Sequence, residues 1–543
     1  MKAGSALLVT TLLLACAGAP PGDRPLVLVT DVRWAGQPGS ALLVTEHGFS
    51  IGPEDEVRAV AGAGVRALDA SGGELLLGFG DAHAHLLPGG LSERRVKLHG
   101  LPTLEACLDA VRRWAAEHPE APWIQGGGWS YDIVPKGELP SRQALDRVVP
   151  DRPVILESYD GHSAWVNSRA LALARIGPDT SDPPTGKIVR EKDGKTPQGT
   201  LLEHAASRVH AVVPEPDPVT QREALALALR QSLRLGITTV HTLCESAEEV
   251  AHYEALLAAG RLPVDVVVAL PLETPLEEVL AVRERLRRPE LRFGFLKGFL
   301  DGVIESRTAY LLEPYAGTEE RGRPNYEPDE LLALVSRANA AGVPVALHAI
   351  GDAAVRMALD TYEAAARSRR GRVRNRIEHL EVVHPDDYPR FAALDVVASM
   401  QPYHAVPLDA PSPDDVWSAN LGPARLARSF PWRALLDAEA PLAFGSDWNV
   451  FTQDPLKGLA AAVTRQNERG LPAGGAQPQQ RLSLEQALRA YTEGVAYAEG
   501  PAPGPEPTHS FVVVEGLDPS DPRTFWTAQV RAVVHRGRLT TFD

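Results

Sequence analysis

Two histidines separated by one residue, His83 and His85, end the run Gly78-Phe79-Gly80-Asp81-Ala82-His83-Ala84-His85. In a strand, positions i and i+2 face the same side, so both imidazoles can leave one strand end together and share one ion. Imidazole suits zinc and similar divalent ions. Three more polar residues follow strand-like apolar runs. His348 comes after Val343-Pro344-Val345-Ala346-Leu347, His379 after Arg376-Ile377-Glu378, and Asp447 after Ala443-Phe444-Gly445-Ser446. A single histidine at a strand end is most simply a hydrogen-bonded structural residue. Four histidines and an aspartate at matching strand ends make a metal-ligand set. A dication held there lowers the pKa of a bound water and yields hydroxide near neutral pH.

Such a set needs a scaffold that brings distant strand ends to one place. Strand-like runs end near Gly80, His241, Leu270, Lys297, His348, His379, Met400 and Ser446, with amphipathic stretches such as 222–235 and 328–341 between them. Eight β/α units predict an α/β fold, a (β/α)8 TIM barrel over residues 78–500, whose active site lies at the C-terminal strand ends. The first two strands are separated by about 150 residues, far more than one helix needs. An inserted subdomain is therefore expected over about 95–205, positioned to roof the site and carrying Trp123, Trp129 and Trp165. Both ends of the chain are β-rich, through Leu26-Val27-Leu28-Val29 and Ser510-Phe511-Val512-Val513-Val514 among others. These flanks, 26–77 and 505–543, predict a small β-sandwich domain built from both chain ends, entered at the second pass through a Pro-rich linker over 501–507.

The chain has 543 residues, of which 44% are hydrophobic, enough for a sizeable core. The net charge is −15 and no basic block of five or more residues occurs, which argues against nucleic acid as a partner. The first residues differ from the rest. Lys2 precedes an apolar run over 6–14 and then Ala15-Cys16, the pattern of a signal peptide over 1–15. Leu13-Leu14-Ala15-Cys16 resembles the bacterial lipobox, which implies a lipid on Cys16, a short tether over 16–25 and a membrane-anchored protein of the cell envelope. Apart from that anchor, no window of about 20 apolar residues predicts a spanning helix. The other two cysteines, Cys107 and Cys244, have no spacing that suggests a bridge or a metal site.

Together the strand-end residues resemble the amidohydrolase superfamily, and the detailed wording resembles its branch of YtcJ-like hydrolases and N-substituted formamide deformylases. The passages that carry the likeness are Gly127-Gly128-Trp129, Asp160-Gly161-His162 with Trp165 and Asn167, Lys297 with Asp301-Gly302, His348-Ala349-Ile350-Gly351-Asp352, Arg376-Ile377-Glu378-His379, Ser399-Met400-Gln401-Pro402-Tyr403-His404 and Gly445-Ser446-Asp447-Trp448. The resemblance implies that His83, His85, His348, His379 and Asp447 hold one or two divalent ions, with zinc the expected metal. Lys297 falls where such relatives place a strand-four lysine, often carboxylated to bridge two ions. A salt-bridged or neutral barrel lysine is the alternative. The resemblance also implies that Asp447 takes a proton from the bound water and delivers it to a leaving nitrogen. His162 and His404 are candidates for holding substrate or a developing oxyanion, and Trp129, with Tyr131 and Trp165, for an apolar wall of the pocket. The likeness breaks where the chain re-enters the β domain. Pro507-Thr508-His509-Ser510-Phe511-Val512 stands there in place of a Gly-x-x-Ala-Asp-Leu stretch, which bears on a local turn and not on the metal residues.

The reading is thus a metal-dependent amidohydrolase that hydrolyses a C–N bond of a small molecule other than a peptide, by attack of hydroxide generated at the ion. A lipid-anchored binding protein that kept the barrel and lost catalysis is one alternative. An isomerase or a C–O hydrolase on the same fold is another, because fold does not determine reaction.

Overall fold

Alternation of apolar residues in the two chain ends builds a single seven-stranded sheet. The computed structural model describes residues 24–542 apart from 35, 63, 136–137, 159–162, 184–185, 369–370, 372, 407–414 and 501–508. The strands lie in the order Arg538–Thr541, Gln529–His535, Phe511–Glu515, Arg66–Leu77, Pro25–Trp34, Gln37–Thr45 and Phe49–Pro53. The two ends of the chain join where Phe511–Glu515 runs antiparallel to Arg66–Leu77, with Phe511 opposite Leu77 and Val513 opposite Leu75. Every second residue faces one core, containing Val27, Val29, Leu42, Leu75, Phe511, Val513 and Val534. The sheet curls over this core like a sandwich, so that Phe49 on the edge strand meets Phe511 from across it, ring centroids 5.0 Å apart. On the other face, the helix Glu54–Ala61 packs Val57 and Ala61 against Leu28, Ala41 and Leu43.

Between these ends, eight parallel strands form a nearly closed barrel of the TIM type: β1 Phe79–Ala84, β2 Ile237–Leu243, β3 Asp265–Pro271, β4 Leu291–Phe299, β5 Val345–Ala349, β6 Arg376–His379, β7 Val397–Met400 and β8 Leu442–Phe444. The strands are buried on both faces, as parallel strands covered by helices must be. Val266, Val267, Val268, Ala269 and Leu270 of β3 are all enclosed, and so is every residue of β5. The last gap closes beyond the end of β8. There Ala84 pairs in parallel with Trp448, the Asp447 N–H donates to the His83 carbonyl at 2.7 Å, and the His85 N–H donates to the Trp448 carbonyl at 2.5 Å. This seam sets the metal-binding candidates of β1 directly beside Asp447.

Residues 90–224 form a separate compact unit. Its six-stranded sheet runs Gly186–Arg190, Pro197–Glu203, Ser163–Val166, Val154–Ser158, Ile124–Trp129 and Val96–Lys97. Trp129 and Trp165 meet edge-on in this unit and are both fully buried. Among the described residues, no helix is long and apolar enough to cross a membrane.

A buried cluster just past β2 yields a stability prediction. Glu249 accepts from the Glu245 N–H at 3.0 Å and from the Tyr253 hydroxyl at 3.4 Å. Burial pushes its carboxyl up from the ordinary 4.5 to about 7. A carboxyl whose folded pKa is raised favours the folded state only while protonated. That contribution is complete below the unfolded value and is lost as pH rises through the folded value. Glu249→Gln removes the ionisation and keeps the shape. Wild type and variant should melt alike at about pH 4, below the unfolded value, and the variant should melt several degrees higher at about pH 8.5. Scanning calorimetry across that range checks it, and a melting difference independent of pH would contradict it.

Candidate metal centre and active site

The C-terminal ends of the barrel strands gather the titratable residues. His83 is the penultimate residue of β1 and is buried, whereas His85, just beyond the strand, keeps about a quarter of its side chain exposed. Asp447 follows β8 in the left-handed region, φ 56°. His379 and Leu380 at the end of β6 are left-handed too, at 74° and 55°. Such backbone is costly for residues other than glycine and persists where surrounding structure imposes it, often at functional sites. Here it has a visible consequence. Regular alternation would send Glu378 and His379 to opposite faces. The turn at His379 brings both into the same site.

Asp447 is the hub. Its Oδ1 lies 3.3 Å from His83 Nε2 and 3.2 Å from His85 Nε2, and its Oδ2 lies 4.0 Å from His379 Nδ1 and 3.9 Å from His404 Nε2. Two triads, His83 with His85 and Asp447, and His379 with His404 and Asp447, each offer three ligand atoms within 4.8 Å of one another. The His348 ring stacks obliquely on that of His379, centroids 4.4 Å apart. Lys297, on β4, is fully enclosed; its Nζ has no hydrogen-bond partner and sits 4.7 Å above the Phe299 ring. His404 Nε2 and Gln401 Nε2 are likewise buried without a partner.

Three of the histidines have one ring nitrogen engaged. His83 Nδ1 lies 2.7 Å from Glu378 Oε2, His379 Nδ1 lies 3.0 Å from Gln401 Oε1, and His348 Nε2 lies 3.2 Å from the Gly302 carbonyl. An N–H donated to each oxygen fixes the tautomer and leaves the opposite nitrogen as a lone-pair donor. The donor set therefore fits one or two divalent ions: imidazole nitrogens, a carboxylate, and an enclosed amine that lacks a partner.

Charge in the site follows from this crowding. Burial and the Lys297 ammonium oppose a charged His83, but Asp447 and Glu378 outweigh them and raise its pKa. Burial works against the Asp447 carboxylate, yet His83, His85 and His379 hold its pKa well below the usual range. Burial, aided by Lys297, pushes His348 down to about 3. Burial lowers Lys297 itself to about 8, against the pull of Glu378 and Asp447. Lys297 thus has a minor neutral fraction at neutral pH, which grows as pH rises through about 8.

Of the residues singled out in the sequence, His83, His85, Lys297, His348, His379, His404 and Asp447 belong to this one strand-end neighbourhood. Trp129 does not. It is fully buried in the core of the 90–224 unit and donates its indole N–H to the Leu156 carbonyl at 2.8 Å. No face of it is left for a ligand, so it is a core residue and not a pocket wall. The reason is ordinary: an indole between glycines and polar residues looks the same in a core as beside a substrate. His162 and Cys16 lie outside the described residues. Sequence reasoning assigned no role to Glu378, Gln401 or Arg376, although each stands in a passage that carried the family resemblance.

The family model described as "Amidohydrolase family" matches residues 66–501. The putative amidohydrolase YtcJ of Bacillus subtilis (strain 168) is 31% identical over 435 residues, covering 78% of this chain and 80% of that protein. The N-substituted formamide deformylase of Arthrobacter pascens is 29% identical over 467 residues, covering 83% and 84%. Among solved structures, an uncharacterized metal-dependent hydrolase from Pyrococcus furiosus superposes with a TM-score of 0.69 at 26% identity, over 87% of this chain and 94% of that one. Family, neighbours and the clustered histidine and aspartate donors support a metal-dependent hydrolase. By the match of its sequence from the edge of the β domain to the last barrel helix, the chain belongs to the amidohydrolase family.

Proposed function

We propose that this protein hydrolyses the C–N bond of a small-molecule amide, outside peptide linkages, using one or two zinc ions. The observation that carries the reading is the meeting of His83, His85, His379 and His404 around Asp447, with the unpartnered Lys297 amine enclosed on β4. The similarity to an N-substituted formamide deformylase points to amides as the first substrates to try. His83, His85, His348, His379 and Asp447 would hold the metal. When bound, a divalent ion acidifies water and polarises a carbonyl oxygen.

The protein's own groups handle the protons. Asp447, kept as a carboxylate by the surrounding imidazoles, accepts the proton released as the water oxygen bonds to the carbonyl carbon. It then returns that proton to the nitrogen as the C–N bond breaks, giving an acid and an amine. His404, with Nε2 buried and unpartnered beside Asp447, donates to the oxygen on which negative charge develops. A neutral Lys297 amine can add carbon dioxide. With loss of one proton this gives a carbamate, whose negative charge stands in place of the ammonium's positive one and whose two oxygens would suit a pair of ions.

Turnover of an amide and ester panel by purified, zinc-supplemented protein tests the reading. Amide cleavage is expected. Ester cleavage alone would move the assignment to C–O hydrolysis, and no turnover with saturable ligand binding would favour a binding protein. The same reading places the protein in the cell envelope through a lipid on Cys16. Cys16→Ser should shift nearly all of it from membrane to soluble fractions and abolish fatty-acid labelling. A variant still on the membrane would overturn that placement.

A further inference from the structure

A fully buried guanidinium lies in the middle of the barrel, beneath the site. Arg376, on β6, is 1% exposed and stacks over the Phe295 ring at 4.6 Å. Its five hydrogen-bond partner atoms come from four residues. Nε donates to Glu378 Oε1 at 2.5 Å, and the two hydrogens of Nη2 are shared among Glu378 Oε2 at 3.1 Å, Ser399 Oγ at 2.8 Å and the Ala82 carbonyl at 2.5 Å. Nη1 meets His241 Nδ1 at 2.9 Å. His241 Nε2 continues to Glu499 Oε1 at 3.3 Å, and Glu499 is paired with Arg292 near the start of β4. A chain of polar contacts thus runs through the barrel interior from Arg292 to His83.

Burying this charge has no evident structural gain. Replacing buried ion pairs by apolar residues is often neutral or stabilising, and the interiors of such barrels are ordinarily filled by branched apolar side chains. What the guanidinium does is grip His83 from two directions. Its fork orients Glu378, whose Oε2 contacts His83 Nδ1. Its third donor holds the carbonyl of Ala82, the residue before His83 in β1. β6 and β1 are not neighbours in the sheet, so Arg376 is a strut across the barrel. We propose that Arg376 is a positioning residue that aims the ion-binding nitrogen of His83, acting through Glu378 and the Ala82 carbonyl, with His241 and Glu499 holding it in place. This rests on the proposed ion at His83.

Lysine in place of Arg376 keeps a charge and loses the planar fork. Arg465, also fully buried, bonds to Ala476 and Gln477 away from the site, so Arg465→Lys controls for general loss of packing. Zinc affinity by competition with a chromophoric chelator and the absorption bands of the cobalt-substituted protein are the readouts, with melting of the metal-free proteins alongside. Arg376→Lys should bind zinc about 10–100-fold more weakly and shift the cobalt bands, as loss of a partner behind a ligand does, while Arg465→Lys stays within about two-fold of wild type. Arg376→Lys and Glu378→Gln together should lose little more than either alone, because both act through His83. Should Arg376→Lys not fold, His241→Phe should weaken zinc binding several-fold and His241→Gln, which retains an acceptor, should restore much of it. Wild-type zinc affinity and cobalt bands in Arg376→Lys, losses that multiply in the double variant, or equal binding by the two His241 variants would overturn the inference alone. Wild-type protein that takes up no zinc would overturn the proposed function and this inference with it.

Discussion

Asp447→Asn is expected to lower turnover by about 10²–10⁴-fold, the usual contribution of general acid–base catalysis, with a much smaller change in substrate affinity. Asparagine fills the same space but cannot take up the water's proton or return it to a nitrogen, and an amine that leaves without a proton is a poor leaving group. The loss should reach the upper part of that range because Asp447 lies within 3.3 Å of both His83 and His85 and so would also help hold the ion. Steady-state kinetics on the best amide of the panel checks it, with zinc content measured on the same preparations to separate proton transfer from metal loss. Turnover above about a tenth of wild type, far short of that loss, would exclude Asp447 as the shuttle. Protein that keeps its zinc and loses only turnover would isolate the proton step.

The convergence of these side chains could be read before any fold was seen, because each lies where local rules are strong. His83 and His85 obey the two-residue period of a strand, and His348 and Asp447 close short strand-like runs. Eight such runs, spaced by helical patterns, left few alternatives to a barrel. What escaped depended on contacts between strands far apart in sequence. Glu378 adjoins His379, and alternation would have turned it away from the site had the backbone at His379 not entered the left-handed region. Arg376 contradicts the expectation that arginine avoids complete burial, so nothing in its flanks Asn375 and Ile377 marks it as an interior residue. Trp129 shows the reverse error. A candidate for an apolar pocket wall, it lies in a packed core, and the glycines before it, Gly127 and Gly128, are needed for close packing. A Cβ at Gly128 would stand 2.8 Å from the His99 backbone nitrogen, and the residue holds φ +93°.

Removal of the metal should have a still larger effect on activity. Protein stripped with a chelator is expected to fall to background, and readded zinc to restore it, since a bound divalent ion is what lowers the pKa of the attacking water. The role of Lys297 can be resolved within the same experiment. As an ammonium it would place a third cation beside two dications, with no carboxylate in hydrogen-bond contact to offset it. As a carbamate it would become a bridging anion. Carbamate formation needs the neutral amine, and burial provides it by lowering the pKa to about 8. The lysine's reactivity therefore rises with pH through that value, so reconstitution with zinc should proceed faster, and to a higher metal content, in alkaline bicarbonate than in carbon dioxide-free buffer. Lys297→Met should leave at most one ion per chain and abolish the bicarbonate dependence. Labelling with ¹³C-bicarbonate should give wild type one carbamate resonance that the variant lacks. Two ions bound in carbon dioxide-free buffer, or in Lys297→Met, would exclude the carbamate bridge; one ion with an unmodified lysine would exclude it too and leave hydrolysis at a single ion held by His83, His85 and Asp447.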